Sequence, residues 1–117
     1  MEVLKSQIFS ISENVRYVAI YVDNKLISGE KASLKNTSSS ESDKYEELIV
    51  NPTLLKLVTQ RGNIDCGGLD YVIIKYGSFF QFVVPINNGH LSVGIEPNAD
   101  IMDLTNKILT IIKTSGS

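Results

Sequence analysis

The sequence predicts an α+β domain: a five-stranded antiparallel sheet flanked by helices, in the order α-β-β-α-β-β-β-α. Three observations carry that prediction. Apolar residues recur at helical spacing near both ends of the chain and in its middle. Short runs rich in β-branched and aromatic residues lie between those stretches. The dipeptides Asp23-Asn24, Gly77-Ser78 and Asn88-Gly89 join the runs and turn consecutive strands back on each other as antiparallel hairpins. With 117 residues, 43% hydrophobic and 21% charged, the chain has the composition of a single domain, 1–117, and no room for another.

Val3, Leu4, Ile8, Ile11 and Val15 fall on one side of an opening amphipathic helix. Tyr17 to Val22 is apolar throughout, as expected of a central strand covered on both faces. Lys25-Leu26-Ile27-Ser28 returns from the Asp23-Asn24 turn as a more polar, edge-like strand. From Lys31 to Ser42 the chain has too few apolar residues to bury, and reads as a mobile polar loop. Ser42 or Asp43 then caps a second helix, with Asp43 and Glu46 at capping-box spacing and Glu46-Glu47 as a solvated helix start. Proline lacks a backbone donor and disfavours helical geometry before it, so Asn51-Pro52 predicts a kink, or a restart with Asn51 as cap. The pattern ends near Gly62.

Tyr71 to Tyr76 and Phe79 to Pro85 are the next two strands. After Asn88-Gly89, the last strand places Leu91, Val93 and Ile95 on one face and His90, Ser92 and Gly94 on the other. That small face allows a helix close approach. Asn98 is a cap candidate, Asp100 and Asp103 lie in a first turn, and Ile101, Leu104, Ile108, Ile111 and Ile112 form the stripe of a closing helix. Residues 114–117 are expected to fray.

This order and length resemble the roadblock/dynein light chain domain of the profilin-like group, as does the hairpin Gly-Ser-Phe-Phe-Gln-Phe-Val-Val-Pro-Ile-Asn-Asn-Gly-His-Leu-Ser-Val-Gly-Ile before the last helix. The resemblance covers nearly the whole chain and contains no catalytic signature. It implies a sheet order of 2-1-5-4-3, and subunits that pair through the second helix and third strand. It further implies a non-enzymatic interaction module, a homodimer or one subunit paired with a homologue, acting as scaffold or regulator of a small GTPase or membrane-associated complex.

The residues argue for self-association independently. Tyr45, Leu48, Ile49, Val50, Leu54, Leu55, Leu57 and Val58 cover a wider arc of the second helix than one core-facing stripe requires. A third strand at the sheet edge leaves Tyr71-Val72-Ile73-Ile74 partly unpaired. The expected dimer interface is therefore Tyr45, Leu48, Ile49, Leu55, Val58, Tyr71 and Ile73; the alternative is that the polar loop or a kinked helix covers them.

Eleven basic residues against thirteen acidic ones, scattered to a net charge of −2, argue against nucleic-acid binding. No run approaches the length of a membrane span, and the start lacks the pattern of a signal peptide, so a cytoplasmic location is expected without membrane insertion. Cys66 is the sole cysteine, which excludes an internal disulfide and a cysteine-rich metal site. His90, the one histidine, has no nucleophile or carboxylate at motif spacing and reads as structural. Gly67-Gly68 follows a helix and precedes a strand, the reverse of a phosphate-cradling loop. Phe79, Phe80 and Phe82 read as core rather than as a base-stacking platform. No catalytic, cofactor or metal residues are expected. A second reading, from another class, is a small-molecule sensor with an apolar pocket under the polar loop, lined by Tyr17, Tyr21, Phe80 and Phe82.

Overall fold

The computed structural model describes residues 1–31 and 40–115. Its elements are α1 (Glu2–Phe9), β1 (Val15–Val22), β2 (Lys25–Glu30), α2 (Ser40–Tyr45), a π-helical turn (Glu46–Val50), α3 (Asn51–Asp65), β3 (Val72–Lys75), β4 (Phe80–Ile86), β5 (Gly89–Ile95) and α4 (Ile101–Ser115). The strands form one antiparallel sheet in the order β2-β1-β5-β4-β3. The expected α+β class and the 2-1-5-4-3 order are both found. The mobile loop expected at 31–42 falls largely outside the described residues, and of its last part Ser40 to Ser42 already belong to α2. Of the expected frayed end, Thr114 and Ser115 still belong to α4.

The turns form where positive φ is tolerated: Asp23 and Asn24 adopt φ of 53° and 66°, and Asn88 adopts 65°. Gly89 is demanded by proximity, since a Cβ there would lie 1.7 Å from the Tyr21 carbonyl oxygen across the β1–β5 pair. The first helix is shorter than its apolar spacing predicts. It stops at Phe9, and Val15 instead opens β1, paired with Ile95 and buried, because strand pairing outweighs a helical pattern that Ser10 and Ser12 interrupt. A bulge between Val15 and Tyr17 frees Arg16 from the alternation; its guanidinium pairs with Glu96 and lies over the Phe79 ring.

The sheet separates two unlike layers. On one face Val18, Ile20, Phe82, Val84, Leu91, Val93 and Ile95 pack against Leu4 and Ile8 of α1 and Leu104, Ile108 and Ile112 of α4. This is the hydrophobic core, and each large side chain buried there contributes roughly 1.5–3 kcal/mol. The opposite face carries Tyr17, Ala19 and Tyr21 of β1, Ser28 and Glu30 of β2, Gln81 of β4, and His90, Ser92 and Gly94 of β5. That polar face lies beneath the helix running from Ser40 to Asp65.

The helix does not restart at Asn51. Val50 and Asn51 are both helical, and the π turn absorbs the proline: the Asn51 N–H donates to the Glu46 carbonyl five residues back. Widening the turn draws the backbone away from the Pro52 ring, where an α-helix would place a carbonyl against it. Asn51 is therefore no cap, and its side chain is turned inward. At the far end, Cys66 and Gly68 both donate their N–H to the Gly62 carbonyl, and Gly67 and Gly68 adopt φ of 80° and 90° to reverse the chain.

Candidate functional site

The helix over residues 40–65 buries two polar side chains and leaves several large apolar ones exposed among charged residues. Its fully buried positions are Glu47 and Asn51, followed along the same stripe by Leu55, whereas Tyr45, Leu48, Ile49 and Leu57 are 62%, 42%, 52% and 60% exposed. An ordinary surface helix carries apolar residues at its buried positions.

Side chains of Ser92, Asn51 and His90 lie within hydrogen-bond distance of the Glu47 carboxyl. Ser92 Oγ donates to Oε2 at 2.6 Å, Asn51 Nδ2 donates to Oε1 at 3.0 Å, and His90 Nε2 stands 2.8 Å from the same Oε1. Ser92 and His90 project from alternate positions of β5, while Glu47 and Asn51 share one side of the helix at i, i+4. The His90 ring lies 5.6 Å from that of Tyr21. Further acids crowd the same end of the helix. Burial, then the charges of Glu30 and Glu47, push the Asp43 carboxyl up. Burial also raises Glu46, partly offset by the Tyr76 hydroxyl, which donates to Glu46 Oε1 at 3.1 Å and ties the π turn to the segment after β3. The Tyr17 phenol is driven far above its ordinary range by burial and by the neighbouring Glu47 charge. Among the described residues, Asn51 Oδ1, Gln81 Nε2 and Glu30 Oε2 are buried without a hydrogen-bond partner.

Glu47 is the residue that sequence reasoning missed. Glu46-Glu47 was expected to be a solvated helix start; Glu47 is instead completely buried, because His90 and Ser92 present donors to it from the sheet. The signal lay in two stripes considered together: polar His90, Ser92 and Gly94 on one strand face, and polar Glu47 and Asn51 on one helix face. His90 is buried, with Glu47 as its partner.

Of the expected interface residues, Tyr45, Leu48 and Ile49 stand together on the outer face of the helix. Leu55 is buried and Val58 half-buried. Tyr71 and Ile73 lean toward the α1/α4 core on the opposite side of the sheet, Tyr71 with its ring 5.6 Å from that of Phe82. The β3 positions on the helix side are Val72 and Ile74. The aromatic pocket expected of a sensor is divided by the sheet: Tyr17 and Tyr21 lie on the helix side, Phe80 and Phe82 on the core side. Phe79 stays outside the core, between Arg16 and Tyr76. Asp100 caps α4 by accepting the Asp103 N–H at 3.2 Å, and Asp103 pairs with Lys107. Cys66 is exposed, with its thiol 3.3 Å from Asp65.

The structure matches a crystal structure of a Roadblock/LC7 domain from Streptomyces avermitilis over 97% of this chain and 92% of that one, with a TM-score of 0.73 and 16% sequence identity. The chain has the roadblock fold. No protein-family model and no curated protein sequence matches it. Within the roadblock fold described here, β2 and β3 are the two sheet edges, and the helix bearing the exposed apolar face is tethered beside β3 through Glu46 and Tyr76. Among the described residues, no helix is long and apolar enough to cross a membrane, and no group of acids, histidine and cysteine is arranged to hold a metal ion.

Proposed function

We propose that this protein is a non-enzymatic interaction module that self-associates through the outer face of the helix over residues 40–65 and the β3 edge, and presents the joined sheet to a protein partner. One observation carries the reading: the helix leaves Tyr45, Leu48, Ile49 and Leu57 in solvent while it buries Glu47 and Asn51. The β3 edge adds Val72 and Ile74 on the helix side and, among the described residues, has no strand on its outer side. Likeness to a roadblock domain supports the same reading. A small GTPase or a membrane-associated complex is the partner class the resemblance suggests, to be sought with the assembled dimer as bait.

The non-catalytic part of the proposal has its own support. Ser92 and the one histidine, His90, each contact Glu47 and not one another, and all three are buried. Light scattering across a concentration series should give a dimer for the wild type. A single charge placed at the centre of the exposed face, Leu48→Asp, should give a folded monomer. A folded wild-type monomer at every concentration would overturn the proposal.

A further inference from the structure

We draw no further inference here: the strongest candidate, the shallow groove between Ile11 and the outer side of α4, lined by Asp103, Asn106, Lys107, Thr110 and Ile111, carries nothing, because its two charged residues pair with each other and nothing in the structure shows what covers it.

Discussion

Replacing Ser92 with alanine removes one hydroxyl from a site with no solvent access and leaves Glu47 Oε2 without its donor at 2.6 Å. The lost bond is to a carboxylate, a class worth about 1.5–3 kcal/mol, and the vacated space is too small to restore the contact with a well-bonded water. We expect a loss of about 2 kcal/mol, a substantial part of the roughly 5–15 kcal/mol that holds a domain folded. For a chain of this size that corresponds to a fall in Tm of about 8 °C. The assay is urea denaturation followed by circular dichroism at matched protein concentration, because the proposed self-association would make apparent stability depend on concentration. Thr114→Ala is the control. Its hydroxyl bonds the Ile111 carbonyl on an exposed helix end, and its loss should stay within about 0.5 kcal/mol. A double-mutant cycle with Glu47→Gln should return a coupling of about 1 kcal/mol or more. A Ser92→Ala loss as small as the control's, or zero coupling, would refute the buried network.

Phe82→Ala should cost about 3–5 kcal/mol in the same assay, since Phe82 is fully buried at the centre of the core. Gly89→Ala should cost about 3 kcal/mol, visible as a lowered urea midpoint, because the added Cβ would collide with the Tyr21 carbonyl. Lys31 first, and Arg16 with it, hold the Glu96 carboxyl below the usual carboxylate range, so its contribution is present at neutral pH and lost on acidification. The stability gap between wild type and Glu96→Gln should therefore shrink below about pH 4, as read from paired urea midpoints.

What the sequence made legible was local. Asn88-Gly89 and Asp23-Asn24 announce their hairpins because few residues tolerate positive φ, and the alternation of Leu91, Val93 and Ile95 places one face of β5 in the core. The sheet order came from resemblance, since no local rule states which strands become neighbours. The candidate site was half legible. An excess of apolar residues on the second helix was visible as composition, but which of them turned outward was not, because that depends on what the sheet offers beneath. Glu47 is the clearest case. Its partners His90 and Ser92 lie 43 and 45 residues further along the chain, so adjacent acids near a helix start gave no sign of burial. Val15 failed for a related reason: its spacing suits a helix, and only the distant Ile95 makes it a strand residue.

The two edges of the sheet differ in a way that bears on how large an assembly can grow. Along β2, Lys25, Ser28 and Glu30 interrupt the apolar residues with charge and hydroxyl, while β3 is the short run Val72-Ile73-Ile74-Lys75. Two copies joined edge to edge at β3 by a twofold axis would be left with only β2 at both outer margins. Those margins resist further pairing. In such a pair the asymmetry would act as a stop: it would permit one addition and discourage the next, giving a closed pair instead of an open-ended fibre.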